Sequence, residues 1–420
     1  MAKAARGGRW WRPGKVLGPA VLACGLLGSC GGSTPSAPTT PGPTPTAHEP
    51  VSAGFLHVLH DSSVVTYRID AATGQLRPSA TQTVGDAHTL TGEPQGRHVF
   101  AAYGPRSGAS HDPSIVAYAP DPSSGSLMTL SEASSDPIWC PGCAAWGRRQ
   151  EWYWLSASST RVYAMWLTGT YHDDYHTFVT HAVGNDGRLG PAYQEDFSEW
   201  DPGTVAVDVD ADVFYKGTWT GGVTAHFVES DGRLTRMGGS HLCVASTVDS
   251  ADPLVAVRGF LFASSHIGYD KAVCSWEGPR LAPRSNLGLQ SDYAVALAPR
   301  DVSSVSSSSP ASRPATLVAM RMDSSTTKQY EVRLFALSDD GDPEPLDTIT
   351  GSGWARHLLF HPSGRFLYLS HGAFYADSPD NLTVYSIDSQ GHLAAVQTLD
   401  DGGGAMAVTL PPVRASAPAR

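Results

Sequence analysis

From residue 51 to residue 412 the chain repeats one phrase: an alternating apolar strand, a polar turn containing glycine, then leucine. Tyr67-Arg68-Ile69-Asp70 leads through Gly74 to Leu76, and Tyr118 leads through Gly125 to Leu127. His181 leads through Gly187 to Leu189, and His226 through Gly232 to Leu234. Weaker copies run from Trp276 through Gly278 to Leu281 and from Phe335 through Gly341 to Leu346. Tyr385-Ser386-Ile387-Asp388, then Gly391 and Leu393, closes the series. Period-two alternation predicts strands buried on one or both faces, and the glycine turns predict hairpins between them.

The seven leucines stand 51, 62, 45, 47, 65 and 47 residues apart. Alternating strands at periods near 45–50 predict an all-β, seven-bladed β-propeller of four-stranded antiparallel blades, because one such sheet cannot bury its faces alone. The two long intervals hold insertions, Pro137 to Trp152 and the Ser-rich run Asp301 to Pro314, both read as surface loops. A second phrase precedes each unit, clearest in His357-Leu358-Leu359-Phe360-His361-Pro362-Ser363-Gly364-Arg365-Phe366-Leu367-Tyr368-Leu369. Its Pro-Ser-Gly supplies turn chemistry between two apolar strands. The repeat array begins in mid-blade at Phe55 and ends on a lone inner strand, Ala405 to Leu410. Pairing of those two ends is expected to close the ring and remove exposed sheet edges.

The amino terminus differs in kind. Lys3, Arg6, Arg9, Arg12 and Lys15 precede an apolar run from Val16 to Leu27 and then small residues. That order predicts a secretory signal, and the apolar run is too short to span a bilayer well. Leu27-Gly28-Ser29-Cys30 resembles the lipobox of bacterial lipoproteins, with Cys30 as the lipidated first residue of the mature chain. Val21-Leu22-Ala23-Cys24 is a rival with a shorter core, and ordinary signal cleavage is the alternative to both. Residues 31–50 are rich in Pro, Ser, Thr and Gly, a composition for an extended tether. The expected organisation is therefore signal peptide 1–29, lipidated cysteine and tether 30–50, propeller 51–412 and a disordered tail 413–420, in the cell envelope.

Composition adjusts this picture in two ways. Only 16% of residues are charged, in keeping with strands buried between sheets. The formal charge is −11, and loss of residues 1–29 leaves 24 cations against 40 acids, a balance of −16. Such a surface disfavours nucleic acid and anionic headgroups, so membrane attachment is expected through the lipid only. A monomer is expected.

The phrases "YRIDAATGQL", "YSIDSQGHL" and "RHLLFHPSGRFLYLS" resemble the lactonase family of seven-bladed propellers, which includes 6-phosphogluconolactonases of the cycloisomerase type and muconate-lactonising cyclases. The resemblance covers residues 51–412. It implies a site at the channel mouth, with Arg356 of the Arg356-His357 pair binding a substrate carboxylate. It also implies a catalytic glutamate sixteen positions after that arginine, where this chain has Gly372. His357 and His371 are the remaining candidates for proton transfer. The family's Asp-Leu-Gly strand is replaced by Trp139-Cys140-Pro141-Gly142-Cys143.

Two sets of loops share the mouth face of a propeller. The loops leading into inner strands carry His88, Asp201, His241, Asp292, Arg356 and His357, of which His88, Asp201, His241, Asp292 and Arg356 are read as substrate-binding. The second-to-third-strand connections carry His60, His111, His172, Asp173, His176, Lys216, His266, Asp270 and His371. No cofactor is expected; His172, Asp173 and His176 are weak ligands for a divalent cation, and Asp208, Asp210 and Asp212 weaker still. Cys140, Cys143, Cys243 and Cys274 are even in number and suit disulfides in an exported protein. Three pairings are open, with Cys140–Cys143 and Cys243–Cys274 the first choice. Two functions follow: a lactonase-like hydrolase or isomerase of a small lactone or organic-acid anion, or a non-catalytic propeller binding a sugar, peptide or envelope protein.

Overall fold

The computed structural model describes residues 52–85, 87–104, 114–134, 149–169, 175–197, 205–209, 211–217, 222–241, 251–257, 259–265, 273–277, 282–286, 293–300, 316–324, 328–338, 340–373 and 380–411. Contacts divide the chain into Met1–Glu49 and Pro50–Arg420, and every described residue belongs to the second unit. Cys30, the tether, the tail and the Ser-rich insertion lie outside the described residues, as do Cys140, Cys143 and Cys243.

The described strands form seven four-stranded antiparallel sheets. In the first, β1 (Ser52–His60), β2 (Ser63–Asp70) and β3 (Leu76–Thr83) are joined by β28 (Met406–Thr409), which pairs with β1 as the inner strand. The second comprises β4 (Ala87–Gly92), β5 (Val99–Tyr103), β6 (Ser114–Pro120) and β7 (Leu127–Ser134). The third has β8 (Arg149–Ala157), β9 (Arg161–Gly169), β10 (Tyr175–Val183) and β11 (Leu189–Phe197). The fourth has β12 (Val205–Asp208), β13 (Val213–Gly217), β14 (Gly222–Val228) and β15 (Leu234–His241). The fifth has β16 (Ala251–Val257), β17 (Phe260–Ser265), β18 (Val273–Glu277) and β19 (Ala282–Asn286). The sixth has β20 (Tyr293–Arg300), β21 (Thr316–Ser324), β22 (Gln329–Leu337) and β23 (Pro343–Ser352). The seventh has β24 (Trp354–Phe360), β25 (Phe366–Gly372), β26 (Asp380–Ile387) and β27 (Leu393–Gly402).

The sheets are propeller blades packed face to face. Leu56, Val58 and Tyr67 of the first meet Phe366, Tyr368 and Val384 of the seventh in one buried cluster. Phe100 and Ile115 of the second meet Val162 and Trp166 of the third, while Tyr163 and Phe178 of the third meet Val205 and Phe214 of the fourth. Inner and second strands are covered on both sides and read as apolar runs, as in Val213–Gly217, where all five residues are buried. Outer strands alternate instead, as in Leu76–Thr83. The low charge of the sequence follows from this layering.

The recurring leucine has a mechanical role. The Leu76 N–H donates to Gln397 Oε1 at 2.8 Å, and Gln397 Nε2 donates back to the Leu76 carbonyl at 3.3 Å. Gln82 holds Leu127 in the same reciprocal way, at 3.0 and 2.9 Å. The Leu189 N–H donates to Ser131 Oγ and the Leu393 N–H to Asp347 Oδ2. In each case the acceptor sits on the outer strand of the preceding blade, so the leucine starts an outer strand and latches it to its neighbour. The turn before it is equally specific. Asp70 Oδ1 accepts from the N–H groups of Ala72 and Thr73, and Gly74 follows at φ +78°. A Cβ on Gly74 would stand 2.4 Å from the Phe366 ring of the seventh blade, so glycine satisfies both the turn and the packing.

Two sequence expectations change. Arg149 to Trp152, read as part of a loop insertion, belong to β8, where Arg149 pairs with Gly169 and Trp152 with Trp166. Asp208 and Asp212, considered for a cation, are pins between blades. Asp208 Oδ2 accepts the Gly259 N–H at 2.5 Å, and Asp212 Oδ1 accepts the Tyr163 hydroxyl at 2.8 Å.

Candidate functional site: the channel mouth

Each inner strand begins where the connection from the preceding blade arrives, and this end borders the channel mouth. Arg356 and His357 lie there on β24. Ala355 pairs with His371 and His357 with Ser370, which leaves Arg356 as the extra residue of a β-bulge. Ala355 is buried, Arg356 and His357 are both exposed, and Leu358 is buried again. Two successive exposed residues break strand alternation, which is what a bulge does when it re-aims a side chain.

The same device recurs in the next blades. On β4, Ala87 pairs with Tyr103 and Thr89 with Ala102, so His88 is the bulged residue. The burial sequence matches: Ala87 buried, His88 and Thr89 partly exposed, Leu90 buried. In the first blade, between these two, Gly403 is buried, Gly404 and Ala405 are open, and Met406 is buried. Gly404 donates its N–H to the Leu59 carbonyl at 2.7 Å, and the Leu59 N–H donates to the Ala405 carbonyl at 2.9 Å. Arg356, Gly404 and His88 therefore occupy one register position on three consecutive blades. On β8 a bulge between Trp152 and Trp154 gives Tyr153 the corresponding place.

The loop carrying Gly404 is held from both sides. Ser370, fully buried on β25, donates its hydroxyl to the Gly403 carbonyl at 2.9 Å. A Cβ on Gly403 would lie 2.4 Å from the Leu59 carbonyl oxygen, so only glycine fits that close approach. The His60 Nε2 stands 3.1 Å from Asp401 Oδ1 at the G-rich loop's beginning, within ion-pairing range but not aligned as a hydrogen bond. Asp401 was not singled out from sequence; its signal is the run Asp400-Asp401-Gly402-Gly403-Gly404 just before an inner strand.

The remaining expected site residues divide. His371 stands at the end of β25 at the same edge, opposite Ala355; its Nε2 hydrogen-bonds Thr383 Oγ1 at 2.9 Å and its ring lies 5.3 Å from that of Tyr330 in the sixth blade. Thr383 continues to Thr398 at 3.0 Å, so the imidazole starts a polar chain across the strands of the seventh blade, with Tyr330 of the sixth against its ring. Gly372, where the resemblance implies glutamate, is buried and pairs with Trp354. The Gly372 carbonyl crowds Gly353, on which a Cβ would meet that oxygen at 2.1 Å. Lys216 lies buried at the end of β13. His241 and His176 end β15 and begin β10, and only their strand placement is described. Asp201, Asp292, His172, Asp173, His111, His266 and Asp270 lie outside the described residues. Cys274 is on β18 opposite Ala263 and Asn286. Among the described residues no group of three or more His, Cys, Asp or Glu is placed to hold a metal ion.

No family model matches the chain, and no curated protein matches it in sequence. Solved structures do match in fold. A candidate 6-phosphogluconolactonase from Bacteroides fragilis superposes with TM-score 0.58 at 14% identity, covering 87% of this chain and 100% of that one. One from Bacteroides uniformis gives 0.59 at 12% identity, covering 85% and 100%. A protein from Lactobacillus plantarum gives 0.55 at 14%, covering 85% and 99%. At these identities the likeness is one of fold: the chain is a propeller similar to lactonase-like structures, and its chemistry rests on its own residues.

Proposed function

We propose that the chain is an exported, lipid-anchored propeller, with its seven sheets closed as one seven-bladed ring, that binds a small organic-acid anion at the channel mouth. The carrying observation is the exposed Arg356, re-aimed by its bulge on the strand that borders the channel. A guanidinium offers paired donors to a carboxylate, and a fixed arginine at a mouth is a recognition element rather than a packing one. The signal-like segment and Cys30 support export and anchoring, and the acidic balance leaves attachment to the lipid.

Lactone hydrolysis is the second reading, supported by the fold likeness to proteins described as candidate 6-phosphogluconolactonases. Against it, Gly372 offers no carboxyl group and His371 is committed to Thr383. Binding without turnover is therefore preferred. Calorimetry with small carboxylates on the full chain tests this, with Arg356→Ala as the comparison. Affinity in the parent that drops about tenfold or more in the variant supports the reading; equal affinity would sink the site. A lactone panel followed by acid release tests turnover, and hydrolysis by the parent chain would restore the enzyme reading. Cys30→Ala is expected to release the protein from membranes, and retained attachment would refute Cys30 as the anchor.

A further inference from the structure

We infer that the mouth holds a two-point ligand: a carboxylate on Arg356 and, across an open gap at Gly404, an oxygen that accepts a hydrogen bond from His88. This deepens the anion-binding reading and rests on it. The argument is one of register. Arg356 and His88 are the bulged residues of the seventh and second blades, and Gly404 holds the matching position of the first, by its bonds to Leu59 and by the burial on either side. A side chain is missing only from the middle position.

That absence is not imposed by the fold. Gly404 has no positive φ, and a Cβ built on it would find only the Leu59 carbonyl oxygen, 3.5 Å away, an ordinary contact. Its neighbour Gly403 is the opposite case, with no room for a Cβ. Glycine at 404 thus leaves open space between an arginine and a histidine on a loop that Ser370 and Leu59 hold in place. Glycine in such a setting marks a close approach by another group.

His88 is chemically ready for the second point. Its Nε2 is buried and has no hydrogen-bond partner. A buried acceptor left unmet costs less than a buried donor left unmet, so the proton belongs on Nδ1. That tautomer presents Nδ1–H as a donor, suited to a ligand hydroxyl or carbonyl oxygen. The ligand class is a short carboxylate bearing an oxygen function several bonds from the carboxyl, such as a hydroxy acid.

The test is a length series of ω-hydroxycarboxylates, from glycolate to 6-hydroxyhexanoate, titrated into the full chain beside the unsubstituted acids of equal length. One chain length is expected to show about a 3–10-fold preference for the hydroxy acid, the scale of one net hydrogen bond. His88→Phe should abolish that preference while leaving the plain acid unchanged, and His88→Gln should retain part of it. Gly404→Trp should block both ligands in a chain whose melting temperature is preserved. Carboxylates that bind through Arg356 with no length preference, or a His88→Phe loss shared equally by both acids, would overturn this inference alone. Carboxylates that fail to bind, or that ignore Arg356→Ala, would overturn the anion-binding reading and this inference with it.

Discussion

His57 Nε2 lies 2.9 Å from the hydroxyl of Thr409, across 352 positions of sequence. Its Nδ1 lies 3.0 Å from the hydroxyl of Thr66, and the ring is wholly buried. One imidazole therefore ties the last strand, β28, and the third strand of its blade, β2, to β1 between them. Thr409→Val removes one partner and strands a buried ring nitrogen, so it should cost about 1–3 kcal/mol of unfolding free energy. Urea denaturation checks this, and hydrogen exchange should show faster opening of Met406–Thr409 than of the inner strands elsewhere.

The same histidine gives stability a pH dependence. Burial lowers its pKa to about 3, while the unfolded chain protonates near the usual value of about 6.5. Between those values the unfolded state holds more protons, so this contribution is complete above about 6.5 and fades as pH falls toward about 3. The loss should reach several kcal/mol, on the order of 5 at most, since one pKa unit is about 1.4 kcal/mol. His57→Gln should flatten the acid limb of a stability-against-pH curve. An unchanged limb would mean that other groups set it.

Blade latching predicts a smaller, repeated effect. Gln82→Ala breaks both bonds to Leu127, and Gln397→Ala both bonds to Leu76, each at an outer strand that is partly solvated. Each should cost about 1 kcal/mol, and the two should add because they sit on opposite sides of the first blade. A shift in denaturation midpoint without change in slope is the expected signature.

These latches explain why so much of the architecture was legible. The leucine follows its turn by only a few residues, and turn, alternation and leucine are all local properties. The closing strand was legible too, because Ala405 to Leu410 reads as a strand with no partner beside it in sequence. The mouth was harder. Arg356 is exposed because Ala355 pairs with His371 and His357 with Ser370, and a bulge depends on a partner strand rather than on the residue itself. His371 stands at the end of β25, at the edge that carries Arg356, and its contacts with Thr383 and Tyr330 come from strands that the local sequence does not show. Asp208 and Asp212 resemble cation ligands only until their partners, on the neighbouring blades, are known.

Tyr368 marks a polar group left over from packing. It is fully buried between the first and seventh blades, and its hydroxyl has no hydrogen-bond partner. Burial raises its pKa strongly, so the phenol stays neutral across the accessible range. Removing an unsatisfied buried hydroxyl relieves its desolvation cost, so Tyr368→Phe should be neutral or stabilising by about 1–2 kcal/mol. A destabilised Tyr368→Phe would reveal a buried water bonded to the hydroxyl.

His371 separates a structural histidine from a catalytic one. The His371–Thr383–Thr398 chain and the contact with Tyr330 join the sixth and seventh blades. His371→Ala removes the imidazole and leaves the Thr383 hydroxyl without it, which should cost about 1–3 kcal/mol of stability. Carboxylate affinity should stay within about twofold, because Arg356 is one strand inward and on a bulge that His371 does not fill. Denaturation and calorimetry on the same variant read the two effects separately. If affinity or lactone turnover collapses while stability holds, proton transfer passes through His371 and the enzyme reading gains its acid–base group. If stability falls while affinity holds, the histidine that stands beside the missing glutamate serves here to hold two blades together.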